Sequence, residues 1–139
     1  MQEVVRGIIG RELTKSLLGM IKEFQKLKYD DEEIYRNVKK LDDLSIMSLY
    51  LLATDFKDNT AFYIKKSYDK VLKNRVKKFR EAVILETGDV FLKKLSKTEV
   101  INLAYYMNLY ELNSNEYNKL SEHDKNCYKI LNNYINSML

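Results

Sequence analysis

From Asn59 to Glu86 the chain runs without a Gly or Pro, and two sets of residues recur there at steps of three and four. That spacing is the period of an α-helix, so each set lines one side of it. Ile64, Tyr68, Val71, Leu72, Val76, Phe79 and Val83 form an apolar side, and Lys66, Lys70, Lys73, Lys77 and Arg80 form a basic side opposite. Between Lys65 and Arg80 stand eight Lys or Arg and a single acid, Asp69. Such a helix turns its apolar side to a core and leaves its cationic side for something else.

The rest of the chain is expected to be helical too. An all-β chain needs many turns, and turns draw on Gly and Pro; here Pro is absent and Gly occurs four times. Hydrophobic residues at 45% and charged residues at 32% suit a folded domain rather than a disordered segment. The expectation is an all-α fold, a compact bundle of about six helices, with residues 1–139 as a single helical domain. The net charge of +4 does not by itself imply nucleic acid; its concentration on one helix is the more informative fact. Cys127 stands alone, which excludes a disulfide framework and points to a reducing, cytoplasmic setting. No run approaches the roughly 18 consecutive apolar residues of a spanning helix, so no membrane partner is expected.

Local signals place the other helices. The spacing predicts a first helix from Gln2 to about Lys26, with Gly7, Gly10 and Gly19 inside it, each costing about 1 kcal/mol against Ala. These glycines mark either close backbone approach to another helix, looseness, or simple tolerance. Asp30 and Glu33 have capping-box spacing and open a second, short helix, so the acids from Asp30 to Glu33 need no metal. Asp42 and Asp43 open a third. The Leu44–Phe56 segment after them is the most apolar of the chain, and is read as the most buried helix or as a homo- or hetero-oligomer contact. Gly88 is expected to end the basic helix as a left-handed cap. Ser96 and Glu99 form a second capping box, with Leu95 set to pack on Val100. Asn113 to Asn115 reads as a loop, and Leu120 to Asp124 opens the last helix.

Catalytic chemistry is not apparent. His123 and Cys127 lie four apart, but two ligands make no zinc site. No phosphate-cradling loop, nucleophile elbow or zinc-protease helix is present. The expectation is a non-enzyme without cofactor or metal. Most of the eleven tyrosines read as core-edge residues with the hydroxyl at water. Tyr63, which precedes the basic stripe, is the candidate for a binding role. The stripe Lys66, Lys70, Lys73, Lys77 and Arg80 has three readings: a solvated face neutralised by neighbouring acids, a phosphate-backbone contact without sequence preference, or a dock for an acidic protein surface.

The run from Lys70 to Leu112 resembles the helical domain of archaeal GINS subunits, a family of replication-fork scaffolds. Val71, Arg75, Lys78 and Phe79 fit that family's basic helix, with Leu72 one place from the ideal leucine. Leu95, Ser96, Glu99, Tyr105 and Leu109 fit the next helix of that domain, and the acidic segment from Tyr29 to Tyr35 after an N-terminal helix is also similar. The resemblance implies a non-catalytic subunit that assembles with like subunits and bridges helicase, primase or polymerase. Together these readings give a scaffold or binding protein in a nucleic-acid-processing, replication-type assembly. The alternative is a small virus or mobile-element protein that blocks a host nucleic-acid machine by covering its surface. A third class is a structural homo-oligomer built through Leu44–Phe56.

Overall fold

The computed structural model describes residues 1–138. Among them it forms nine α-helices and no strand: α1 (Gln2–Ile9), α2 (Arg11–Lys26), α3 (Asp31–Val38), α4 (Asp43–Ala53), α5 (Asn59–Ile84), α6 (Gly88–Lys93), α7 (Lys97–Tyr106), α8 (Ser114–Asn118) and α9 (Glu122–Met138). The all-α class is as expected; the helix number is larger than six. The three extra helices have identifiable causes.

The first is a break at Gly10. Its φ of 87° and ψ of 168° lie in a region open essentially to glycine alone, so one helix becomes two there. Gly10 closes α1 by donating its N–H to the Arg6 carbonyl, and its own carbonyl accepts from both the N–H and the hydroxyl of Thr14. Gly7 and Gly19 differ. A Cβ built on either meets nothing within 4 Å, and both are exposed, so neither marks close packing inside the chain.

The second extra helix comes after α5. Gly88 is not a left-handed cap. The positive φ falls on Glu86 (60°), and Thr87 donates back to the Ala82 carbonyl. Gly88 instead opens α6, buried where a Cβ would stand 2.9 Å from Val83 Cγ2 and 3.3 Å from Ile130 Cδ1. The third, α8, replaces the loop expected at residues 113–115. Asn113 caps it, accepting from the Glu116 N–H while Glu116 accepts from Asn113. Three further non-glycine residues hold left-handed φ at helix ends or turns: Lys28 (53°), Asn108 (56°) and Glu111 (49°).

The remaining boundaries follow their caps. Asp30 with Glu33 opens α3 and Ser96 with Glu99 opens α7, each as a complete capping box. Asp42 caps α4 through the Ser45 N–H, Asp58 accepts from Ala61 at the start of α5, and Ser121 accepts from Asp124 at the start of α9. Each such cap stabilises its helix by about 1 kcal/mol.

Contacts gather into two units, Met1–Val71 and Leu72–Leu139. In the first, Val5, Leu17, Ile21, Phe24, Ile34, Val38, Ile46, Leu49, Leu52 and Ile64 are buried together. Helix α4 lies at its centre: Ser45, Ile46, Ser48, Leu49, Leu52 and Ala53 are buried, while Leu44, Met47, Tyr50 and Leu51 are partly exposed. In the second, Phe79, Val83, Leu92, Val100, Leu103, Leu109, Cys127, Leu131 and Ile135 are buried together. Helix α5 supplies Ile64 to the first core and Phe79 and Val83 to the second, as its apolar stripe requires. No helix among the described residues is long and apolar enough to cross a membrane.

Candidate binding face

The basic side of α5 lies where its spacing puts it, with Lys66, Lys70, Lys73 and Lys77 all exposed. Their surroundings differ. In the first unit Lys66 Nζ is 3.2 Å from Asp31 Oδ2 at the N-terminus of α3, and Lys70 Nζ sits 4.1 Å from the centre of the Tyr35 ring. Lys39 approaches the same ring at 5.6 Å. Asp31, Glu32, Tyr35, Lys66, Ser67 and Lys70 wall a groove of about 320 Å³. Both contacts are at the surface, where solvent screens an ion pair or a cation over a ring. They order these lysines without removing them from solvent.

The Lys66 ammonium, by hydrogen bonding to Asp31, holds that carboxyl below its ordinary value of 3.8. A lowered carboxyl stabilises the fold above its unfolded pKa, and that contribution is lost as pH falls through the lowered folded value. Lys66→Met is therefore expected to return Asp31 to the ordinary carboxylate range in a carbon-13 titration. An unchanged Asp31 titration would show that the pair does not form in solution.

In the second unit Arg80 is turned inward. Its Nη1 donates to Asp124 Oδ1 of α9 at 2.6 Å, and Arg75 pairs with Glu99 of α7 at 3.6 Å. Both arginines are half-buried, so they tie α5 to its neighbours in that unit. Lys77 and Lys78 are exposed and make no ion pair among the described residues. The positive balance also sits here: Lys and Arg outnumber Asp and Glu by eleven to eight over residues 72–139, and by thirteen to twelve over residues 1–71.

Tyr63, in the first unit, is half-buried against that core and lies 6.0 Å from the Phe62 ring. It shares a groove with Gln25, Tyr29 and Asp58. Other tyrosines pair with one another: Tyr50 with Tyr68 at 4.6 Å, Tyr105 with Tyr110 at 4.4 Å and Tyr117 with Tyr128 at 5.5 Å. These rings pack on each other as core-edge residues do.

Spacing alone does not single out the aliphatic residues at the end of the stripe. Ile84 lies four residues beyond Arg80 and seven beyond Lys77, on the same side of α5, and is 68% exposed. Leu85, seven beyond Lys78, is 72% exposed. The only signal for them in the sequence is the interruption of the basic pattern at residue 84. Beside them Val83, Ile84, Glu86, Gly88, Asp89, His123, Asn126, Lys129 and Ile130 wall a groove of about 620 Å³, all within the second unit.

His123 and Cys127 do meet, with Nε2 3.9 Å from Sγ. Cys127 is fully buried, and burial pushes its thiol pKa up, which disfavours the nucleophilic thiolate. Cys127 is expected to resist a disulfide reagent in the folded protein and to react fully once urea unfolds it. Fast reaction in the native state would contradict this burial. Among the described residues no three His, Cys, Asp or Glu side chains converge as metal ligands would.

Compared with protein-family models, curated proteins and solved structures, the chain matches none.

Proposed function

We propose that this chain is a non-catalytic binding protein that docks within a nucleic-acid-processing assembly in the cytoplasm, through the basic side of α5. The observation that carries the reading is the exposed lysines on that helix, above all Lys77 and Lys78 in the second unit. Exposed cations of this kind attract an acidic surface at long range and add specificity by complementary charge. Ile84 at the end of α5 and Leu85 in the turn after it, both exposed, favour an acidic protein over a bare phosphate backbone, because a backbone contact has no use for aliphatic side chains. The resemblance to GINS subunits supports a replication-type scaffold as the wider role. The virus or mobile-element inhibitor uses the same face and remains the second reading.

The test is reversal of Lys73, Lys77 and Lys78 to Glu in a protein shown by circular dichroism to remain folded. Binding is read against an anionic protein matrix and against short labelled single- and double-stranded DNA and RNA, at low and moderate salt. The expected result is salt-sensitive capture of the acidic protein by the wild type, weakened at least tenfold by the reversal. Wild-type binding to nucleic acid alone would assign the face to phosphate. Equal capture of wild type and variant would remove α5 from the contact.

A further inference from the structure

We propose that the outer side of α1 is the contact through which two copies of this chain form a small antiparallel dimer. This contact lies in the first unit, uses none of the α5 lysines and goes beyond the reading above.

Helix α1 carries more apolar surface than its own core takes up. Val5 is fully buried and Ile9 packs against the same core, so one side of the helix is turned inward. Val4 and Ile8 stand on the neighbouring side at 54% and 50% exposure, with Met1 ahead of them at 49%. Positions 1, 4 and 8 follow the three-then-four spacing of a two-helix seam, which is narrower than the stripe by which a helix joins a core. Leu13, in the first turn of α2, is exposed as well. Four of the ten large hydrophobic side chains exposed among the described residues thus fall in the first thirteen. That is a concentration, whereas single scattered aliphatics are ordinary on a protein surface.

Gly7 argues likewise. Inside α1 it weakens the helix relative to alanine, yet a Cβ built on it meets nothing within 4 Å and its backbone is ordinary helix. Nothing within the chain calls for glycine there. It lies one turn beyond Glu3 and Val4, on the flank of the seam, where a missing side chain lets the backbone of a second helix come close.

Charge names the occupant. Glu3 stands near one end of the seam, and Arg11 stands just past the other, at the break between α1 and α2. Both are exposed, and neither has an ion pair among the described residues. Two copies laid antiparallel set Val4 of one against Ile8 of the other, and each Glu3 beside the other's Arg11, twice over by the two-fold axis. A parallel pair would set like charges together, so the charges also fix the direction. The other charged groups here do not upset the balance. The Met1 ammonium is taken up by Asp55 at 3.5 Å. Arg6 falls on the side of α1 away from the seam, and Glu12 and Lys15 in α2 are of opposite sign. A seam with unlike charges at its two ends is complementary to itself, whereas a surface of one sign meets an end that repels it. Half-exposed aliphatics on a two-turn helix make a contact at the small end of the interface range, so a dissociation constant in the tens of micromolar is expected.

The full chain is followed by sedimentation velocity and light scattering from a few micromolar to a few hundred micromolar. The expected result is a monomer–dimer equilibrium without larger species, since a two-fold contact closes on itself. Val4→Asp with Ile8→Asp, both at exposed positions, is expected to weaken dimerisation at least tenfold with the circular dichroism unchanged. Gly7→Ala is expected to raise the urea midpoint while weakening the dimer at least fivefold. Glu3→Arg and Arg11→Glu are each expected to weaken self-association, and the two single variants, mixed, to pair with one another better than either does with itself. Reversal of Lys73, Lys77 and Lys78 is expected to leave the dimer unchanged, which separates this contact from the α5 face. A chain that stays monomeric throughout, or a dimer indifferent to the Val4 and Ile8 changes, would overturn the proposal. So would a Gly7→Ala variant that gains stability and dimerises as before, because the close approach would then be absent. Mixed charge variants that pair no better than the singles would overturn the antiparallel arrangement. A monomer that binds vesicles of neutral and anionic phospholipid through Val4 and Ile8 would give the seam to lipid and overturn the second copy.

Discussion

Truncating Phe79 to alanine is expected to remove about 3–5 kcal/mol of stability. Phe79 is fully buried on α5 among Leu92, Val100, Leu103 and Leu131, with the Phe91 ring 6.0 Å away. Helical packing holds these neighbours in place, so they cannot collapse into the space an aromatic ring leaves. The lost transfer free energy and the cavity therefore add. Against the roughly 5–15 kcal/mol that holds a domain folded, this is a large part of the total. Urea unfolding should show a lower midpoint, and Phe79→Leu, which keeps an apolar side chain in the space, a smaller change. A loss under about 1 kcal/mol for the alanine variant would contradict the placement of this ring.

Gly88→Ala tests the opposite failure, overfilling. The new methyl would stand 2.9 Å from Val83 Cγ2, and Val83 is β-branched, short and itself buried. Ile130, on the other side at 3.3 Å, has the longer side chain and gives more readily. Overpacking of this kind costs about 1–3 kcal/mol, of which the better helix propensity of alanine returns a fraction. The expected net result is destabilisation of about 1–2 kcal/mol by urea unfolding. Val83→Ala removes the atom that the new methyl strikes, so the double variant should be less destabilised than the two single changes added together. Strict additivity would mean that the two side chains do not meet.

Where the sequence could be read and where it could not divides along the range of the interactions. Asp30 with Glu33, Asp42, Ser96 with Glu99, and Ser121 announce their helices because a cap acts across three residues and its chemistry is written locally. The break at Gly10 had the same chance of being seen as tolerance at Gly7 and Gly19. What separates them is a backbone dihedral, not a neighbour in the chain. Helices α6 and α8 are shorter than the two turns needed for periodicity to show. The stripe on α5 was legible from spacing alone. Its partners were not: Asp31 and Asp124 lie 35 and 44 residues from the cations they meet. That separation is why Arg80 looks like a contact residue in the sequence, yet in the structure ties α5 to α9.

The four left-handed residues at helix ends and turns have a consequence for how this chain tolerates change. Lys28, Glu86, Asn108 and Glu111 adopt a conformation that disfavours a β-carbon by roughly 1 kcal/mol, least so for asparagine. Glycine would turn each corner without that strain, yet three of the four glycines sit in the first nineteen residues. The native state thus holds a reserve of stability that single substitutions at solvent-exposed corners can release. A lineage carrying this fold has room to accept a costly change at the docking face, such as a new charge beside Ile84, and to recover the loss at a corner that does not wall the groove there, such as Glu111.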